Sequence, residues 1–224
     1  MKYIFVDLEM HPIARRYKEA RRVCNNEVIE IGAVALDEEY KETGSFKLLV
    51  KPEYNAEVYK RYTALTGITA EMLAPAAHFA EALADFLRWC GEGGEEYLIY
   101  SWSDNDLQQL QKETALKRIE LSPELEYMFR QWRDFQKEYC QLVQLDHQIA
   151  LEKALDSVGI VFEGRVHDAW CDARNTAELY RLSRNEEELR RLLQPVEKAG
   201  QEAEPATFAL SDAVLEKLRG LQLA

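Results

Sequence analysis

The sequence predicts a mixed α/β domain, and three observations indicate that class. Strand-forming runs occur at residues 3–10, 28–36 and 44–50. A short charged turn joins the last two and a longer loop precedes the second, a pattern that favours an antiparallel meander. Apolar residues then recur at helical spacing from Phe79 to Cys90, and a fourth strand-forming run follows at residues 97–102. With 224 residues and a hydrophobic content of 47%, the chain can bury one medium-sized core.

The remaining elements follow from turn and capping residues. A turn over residues 62–69 contains a glycine and three threonines, and residues 125–138 are ambiguous, with a short fifth strand expected before a helix. Five helices are expected, each bounded by a cap or a breaker: residues 70–73, 79–90, from Asp104 or Asn105 to about Lys117, 148–158 and 168–183.

The C-terminal part of the chain changes character after Arg184. It becomes strongly charged, breaks at Pro195, and ends with one amphipathic helix predicted at residues 211–221. We therefore expect a domain over residues 1–184 and a charged helical extension over residues 185–224. The extension is expected to pack on the domain or on a protein partner.

The composition favours a cytoplasmic protein. The four cysteines are scattered without a C-x-x-C pair, which is typical of reduced thiols. No apolar run approaches the roughly 20 residues that span a bilayer, and the N-terminus has no signal-peptide pattern, so we expect no membrane contact. The net charge of −12 argues against long-range capture of duplex nucleic acid but leaves metal-assisted phosphate chemistry open.

The first strand carries the most informative pattern. Asp7 and Glu9 lie two residues apart, so their side chains point to one face, roughly 6.5–7 Å apart along the strand. Two adjacent carboxylates repel each other and are costly to desolvate, a cost that a divalent cation removes. A solvent-facing edge strand is the alternative interpretation. The residues between and around the pair point to the opposite, apolar face: Ile4, Val6, Leu8 and Met10.

Two downstream segments offer partners for this pair. Asp106 follows the fourth strand, inside the first turn of a helix that Asp104 is expected to cap. Asp172 shares a helix face with small residues, a stripe suited to close packing on a sheet, where an unpaired aspartate is out of place. His167 lies five residues before Asp172, which a straight helix would not align with it, so we place His167 in the preceding loop.

Taken together, the D-L-E strand, the D-L at residues 106–107 and the H-x-x-x-x-D at residues 167–172 resemble the DEDDh (DnaQ-like) 3′–5′ exonucleases. The resemblance covers about residues 1–182, and the S-W-S-D-N-D-L element and residues 127–140 look most like the Eri-type RNA exonucleases and their KapD-like relatives. It implies an RNase H-like fold with a mixed five-stranded sheet flanked by α-helices. One departure is Asn105, where the Eri type often has an aromatic residue, which leaves base stacking and nucleotide preference open.

The resemblance also implies the roles of the site residues. Asp7, Glu9, Asp106 and Asp172 would bind two Mg²⁺ or Mn²⁺ ions, and His167 would act as general base. Residues 65–69 resemble the loop that lies against the terminal nucleotide, with a plain turn as the alternative, and Arg174 and Lys60 or Arg61 are candidates for phosphate contact. The expected substrate-binding residues are Leu8, Met10, Thr66, Gly67, Ile68 and Leu107.

The function implied is hydrolysis of single-stranded RNA or short oligonucleotides from a free 3′ end, which releases nucleoside 5′-monophosphates. The same chemistry on DNA is the first alternative, as a repair or proofreading activity. A non-catalytic nucleic-acid-binding or regulatory module of the same fold is the second, although all five catalytic positions are present.

Overall fold

A computed structural model describes residues 1–55 and 57–193 of the chain. The strands of this part are β1 (Lys2–Pro12), β2 (Asn26–Leu36), β3 (Glu42–Lys51), β4 (Ala77–His78), β5 (Tyr97–Ser101) and β6 (Trp132–Asp134). The helices are α1 (Lys18–Val23), α2 (Lys60–Thr66), α3 (Ala70–Leu73), α4 (Phe79–Gly91), α5 (Asn105–Leu116), α6 (Pro123–Arg130), α7 (Phe135–Leu142), α8 (Leu151–Ser157) and α9 (Ala169–Ser183). Residues 186–193 are also helical.

The six strands form one mixed sheet with β1 in its interior, in the order β4-β3-β2-β1-β5-β6. Strands β1, β2 and β3 are antiparallel, which confirms the predicted meander. Strand β5 pairs with β1 in parallel, and β6 with β5. The carboxyl ends of β5 and β6 therefore point the same way as that of β1, and the segments that follow them emerge at one edge of the sheet.

Both faces of the sheet are covered, which explains why β1 is apolar on both sides near its start. Ile4, Val6 and Leu8 face a core that includes α4, α5 and α6. Phe5 faces a second core with α7, α8 and α9, where its ring stacks on Tyr100 at a centroid distance of 5.5 Å. Polar side chains on this second face of β1 are consequently held under a helix layer.

The prediction for residues 125–138 was wrong in its order. The segment begins as helix α6, passes through the short strand β6 and ends in helix α7. Ser122 caps α6 by accepting from the Leu125 N–H, with Pro123 at the first helical position, and this start signal lies just before the ambiguous stretch. The sheet also has six strands where five were expected, because residues 77–78 pair with β3.

The C-terminal prediction falls mostly outside the described residues, including the amphipathic helix expected at residues 211–221. Within the described part, Leu189 of the helical segment 186–193 is buried in the second core. Among residues 1–55 and 57–193, no helix has the length and apolar character required to cross a membrane.

Candidate active site

Strand β1 presents two carboxylates to the α9 side of the sheet. Asp7 pairs with Gly32 across the antiparallel ladder, and Glu9 pairs with Glu30. Glu9 is only 7% exposed, whereas Asp7 is partly buried. The register shifts directly after Glu9, so that Ile29 bulges out of the pairing between β1 and β2.

Helix α9 supplies a third carboxylate because Gly32 lets it approach the sheet. A Cβ at Gly32 would lie 2.1 Å from the Trp170 backbone nitrogen and 2.2 Å from the Ala169 carbonyl carbon. Only glycine therefore permits the first turn of α9 to rest on β2 opposite Asp7. The small-residue stripe of α9 is buried as predicted, and Asp172 points from it towards β1.

Asp7, Glu9 and Asp172 form a carboxylate cluster. One carboxylate oxygen from each residue lies within 4.8 Å of those of the other two. The Asp168 N–H donates to Asp172 Oδ2 at 3.2 Å and fixes the orientation of that carboxylate at the start of α9. The cluster therefore combines a strand pair with a helix terminus, as the sequence predicted.

Asp106 stands beside this cluster. It is 5% exposed in the first turn of α5, and its Oδ1 accepts from the Leu8 N–H at 3.2 Å. This bond ties the start of α5 to the middle of β1, between the two strand carboxylates. Asp104 occupies the N-cap position, but its side chain makes no capping hydrogen bond to the helix backbone and instead accepts from the Gln108 side-chain amide at 2.8 Å.

The crowding of carboxylates raises their pKa values. Burial raises the pKa of Glu9 to about 8, with further contributions from Asp172 and Glu30. Burial also raises the pKa of Asp106 to about 7 and that of Asp172 to about 6, although backbone N–H bonds oppose both shifts. The pKa of Asp7 is raised by burial and by the charges of Asp106, Asp172 and Glu9.

These residues fit a site for divalent cations. Oxygen donors are the ligands that Mg²⁺ and Mn²⁺ prefer, and a few carboxylates suffice because Mg²⁺ keeps several waters. Neighbouring buried carboxylates repel each other and lose hydration, and a bound cation offsets both costs. Asp7, Glu9 and Asp172 would hold such an ion, with Asp106 adjacent to them.

His167 lies where the sequence placed it, in the loop before α9. It is exposed and adopts a left-handed backbone conformation (φ 61°) just before Asp168, the N-cap of α9. It lines a cavity of about 370 Å³ together with Asp172, Asn105 and Trp102. The histidine and one carboxylate of the cluster therefore open onto the same space.

The predicted substrate loop borders the same strand pair. Ile68 is buried against Ile29, the residue that bulges beside Glu30. The Thr66 hydroxyl donates to the Tyr62 carbonyl and accepts from the Ile68 N–H, so it is engaged within the loop. Gly67 has φ 79°, a left-handed conformation that glycine adopts without strain.

The other predicted substrate and phosphate residues are distributed differently. Leu8 is buried in the first core, and Met10 and Leu107 pack against it while remaining partly exposed. Arg174 lies 3.4 Å from Glu163 and 3.6 Å from Glu42. Lys60 and Arg61 are exposed at the start of α2.

Sequence reasoning missed an ion-pair group beside the cluster. Glu30 is 3% exposed, accepts from the Ala169 N–H at 3.0 Å and lies 3.5 Å from Lys47 Nζ. The same lysine contacts Asp168, the N-cap of α9, at 2.5 Å. A charged residue inside the apolar run of β2 was the available signal, the same signal that singled out Asp7.

Sequence reasoning also missed a contact between two segments, which we call the loop pair. One is the end of α2 with the turn that follows it, residues 64–68, and the other is the loop at residues 163–167. Arg165 donates to the carbonyls of Ala64 and Leu65 at 3.1 and 3.0 Å. Its guanidinium occupies the space beside Gly67, where a Cβ would lie 1.9 Å from Nη1. One arginine therefore joins the histidine loop to the predicted substrate loop.

The fold and this carboxylate arrangement define a class of protein. Residues 4–180 match the family model described as exonuclease, of the RNase T type. The chain therefore belongs to the exonuclease family, and the predicted RNase H-like fold is confirmed.

Among individual proteins, the chain is similar to 3′–5′ exoribonuclease 1 of Mus musculus, with 27% identity over 161 residues. That alignment covers 69% of this chain and 46% of the relative, so the chain spans about half the length of the curated relatives it matches.

Two solved structures share the fold. The nuclease domain of 3′hExo, a DEDDh family member bound to rAMP, superimposes with a TM-score of 0.70 at 21% identity, over 82% of this chain and 92% of that one. E. coli exonuclease I in complex with a dT13 oligonucleotide has a TM-score of 0.61 at 15% identity, over 87% of this chain and 43% of that one.

Proposed function

We propose that this protein is a metal-dependent 3′–5′ exonuclease that removes nucleoside 5′-monophosphates from single-stranded RNA or short oligonucleotides. The observation that carries the proposal is the carboxylate cluster, whose three oxygens lie within 4.8 Å of one another beside a histidine-lined cavity. Membership of the exonuclease family supports the same conclusion.

The four acidic residues have the proposed role of metal ligands. Asp7, Glu9 and Asp172 would hold the first ion, and Asp106 would complete the set from the start of α5. Two Mg²⁺ or Mn²⁺ ions, when bound, would stabilise the attacking and leaving oxygens of an in-line displacement at phosphorus. The buried positions of Glu9 and Asp106 keep these ligands in place before a substrate arrives.

His167 has the proposed role of general base. An imidazole can accept a proton near neutral pH, and its loop position lets it reach a water molecule in the cavity shared with Asp172. The terminal nucleotide would lie against the Gly67 backbone, with Leu8, Met10 and Leu107 beside it. Thr66 and Ile68 would shape this loop through their buried contacts.

RNA is the favoured polymer, because the curated relative is an exoribonuclease. DNA remains the specific alternative, since a structure with the same fold holds a dT13 oligonucleotide. A cytoplasmic location is proposed from the four cysteines, which are all buried free thiols. The domain is proposed to end near residue 184, with residues 185–224 as an extension that could meet a protein partner.

A degradation assay on matched RNA and DNA oligonucleotides tests the proposal. Label at the 5′ end should show a ladder that shortens from the 3′ end, and label at the 3′ end should appear at once as a mononucleotide. Both kinds of product should require Mg²⁺ or Mn²⁺, and their formation should stop when the ion is chelated. Internal cleavage, or loss of nucleotides from the 5′ end, would overturn the proposal, and binding without turnover would favour the non-catalytic module.

A further inference from the structure

The segment that follows β1 is the most basic part of the chain. Residues 15–22 contain five arginines and lysines and one glutamate, in a protein whose net charge is −12. No other window of eight residues has an equal excess of positive charge. Arg15, Arg16 and Lys18 are exposed, and none of the carboxylates in the described part of the chain lies within ion-pair distance of them. Their charge is therefore available to an anionic partner.

This basic segment is held in a fixed position by a small core of its own. Ile13, Ala20 and Cys24 are buried together, and Tyr54 and Leu116 pack against them. The Ile13 N–H also donates to the Asn25 carbonyl at 2.9 Å, which closes the base of the segment. The exposed cations therefore project from an anchored platform.

An open groove adjoins the platform. Its volume is about 930 Å³, and its lining includes Arg16, Tyr17, Lys18 and Arg118, which are exposed, together with Glu19 and Glu53. Lys117 also lines it but is buried in ion pairs with Glu27 and Glu53. Tyr17 is 36% exposed, with the Arg16 guanidinium 4.9 Å from its ring centroid and the Tyr54 ring packed edge-on at a centroid distance of 5.3 Å. Cations beside an accessible aromatic ring suit a single-stranded polynucleotide, because the phosphates meet the charges and a base stacks on the ring.

The groove is connected to the proposed active site by two short elements. Arg15 lies six residues after Glu9, a distance of roughly 20 Å if the chain is extended. On α5, the Gln109 side chain donates to the Asn26 carbonyl at 2.9 Å, so Asn26, four residues after the basic segment, lies one helical turn from Asp106. The groove itself lies at the other end of α5, where Ala115 is roughly 14 Å along the helix axis from Asp106. A strand whose 3′ end occupies the site can therefore reach the platform a few nucleotides upstream.

We propose that the basic platform, defined as Arg15, Arg16, Tyr17 and Lys18, binds the phosphates and a base of single-stranded RNA upstream of the 3′-terminal nucleotide. The inference rests on the proposed function for the identity of the strand. The platform gives an acidic protein a local site for a polyanion, and it makes long substrates better than short ones. It does not take part in the chemistry at the carboxylate cluster.

The test compares two triple variants that change the net charge equally. Arg15→Glu, Arg16→Glu and Lys18→Glu remove the platform. Arg88→Glu, Arg130→Glu and Arg190→Glu alter exposed arginines whose ion pairs, among the described residues, are with neighbours on their own helices. The value of kcat/KM is measured on a dinucleotide and on an RNA of about 20 nucleotides. Binding of the longer RNA is measured by fluorescence anisotropy in EDTA.

We expect the platform variant to lose at least tenfold in kcat/KM on the long RNA, with less than a twofold change on the dinucleotide. Its binding of the long RNA should also depend less on salt. If three phosphate contacts disappear, the slope of log K against log salt should become shallower by about 2. The control triple variant should leave kcat/KM unchanged on both substrates. Tyr17→Ala should weaken binding of the long RNA without changing the salt slope.

Equal loss on both substrates, or no loss on the long RNA, would overturn the inference. Selective capture of an acidic protein with unchanged RNA binding would overturn it in favour of that partner. The proposed function can fail separately. If the wild-type protein binds the long RNA through the platform but releases no mononucleotide, the platform inference stands and the exonuclease assignment is wrong.

Discussion

The carboxylate cluster and the loop pair border the same strands but are built by different means. The cluster is fixed by regular structure: residue alternation on β1, and the close approach of α9 that Gly32 permits. The loop pair depends on one exposed side chain, Arg165, which bonds to two carbonyls of the opposite loop. Changes in the cluster should therefore abolish chemistry, and changes in the loop pair should alter substrate binding by smaller amounts.

The largest effect is expected for Asp7→Asn. Activity should fall about a thousandfold or more because a proposed ligand is lost, while the metal-free protein should become about 1 kcal/mol more stable because a buried charge beside three other carboxylates disappears. Urea unfolding in EDTA and single-turnover degradation measure the two quantities. Asp85→Asn, at a partly exposed position paired with Arg88, should change neither the activity nor the stability. Lower stability in Asp7→Asn would contradict the electrostatic account of the cluster.

The second largest effect is expected for His167→Ala. Its kcat should fall by roughly 10²–10⁴, the usual contribution of a general base. The increase in melting temperature caused by Mn²⁺ should remain, because the carboxylates stay in place. His147→Ala removes an exposed histidine bonded to Asp146 and is the matched control. If Mn²⁺ no longer stabilises His167→Ala, the histidine belongs to the metal site and the assignment as base is wrong.

Residues placed by regular structure could be predicted from the sequence, whereas contacts made through loops could not. Asp7 and Glu9 could be paired because strand periodicity alone fixes their facing, and Asp172 because it interrupts a packing stripe. The contact between Arg165 and Gly67 could not be predicted, because it joins residues about a hundred positions apart through loops without periodicity. The order of elements in residues 125–138 was missed because short apolar runs do not separate helix from strand.

A third prediction concerns pH and the buried Glu9. Its pKa is raised to about 8, so between the ordinary carboxyl range and pH 8 the folded metal-free protein binds more protons than the unfolded chain. Stability of the wild type should therefore fall as pH rises through this window, and Glu9→Gln should remove that contribution. The stability advantage of Glu9→Gln over wild type in EDTA should grow from about pH 5 to about pH 8. A constant difference across the window would show that Glu9 is not perturbed in this way.

The smallest effect is expected in the loop pair. Gly67→Ala places a Cβ against the Arg165 guanidinium, and Arg165→Ala removes the bridge, so each should raise KM by roughly fivefold with little change in kcat. In the double variant the added Cβ meets no guanidinium, so the two effects on KM should not add. The coupling free energy between the two substitutions should be about 1 kcal/mol. Additive effects would mean that the two residues act independently.

A control separates this collision from backbone strain. Gly94 also has a positive φ, of 69°, but a Cβ there meets nothing within 4 Å. Gly94→Ala should therefore show only the modest stability cost of the left-handed conformation, without a change in KM. A similar rise in KM for Gly94→Ala would show that strain alone explains the Gly67 variant.

The carboxylate cluster is proposed to be the cation site that the exonuclease uses. Titrating Mn²⁺ into metal-free protein, with calorimetric binding and mononucleotide release measured on the same samples, tests this claim. Release should rise in parallel with occupancy in the wild type, and Asp7→Asn should lose both together. Full activity in EDTA, or unchanged Mn²⁺ binding in Asp7→Asn, would contradict it.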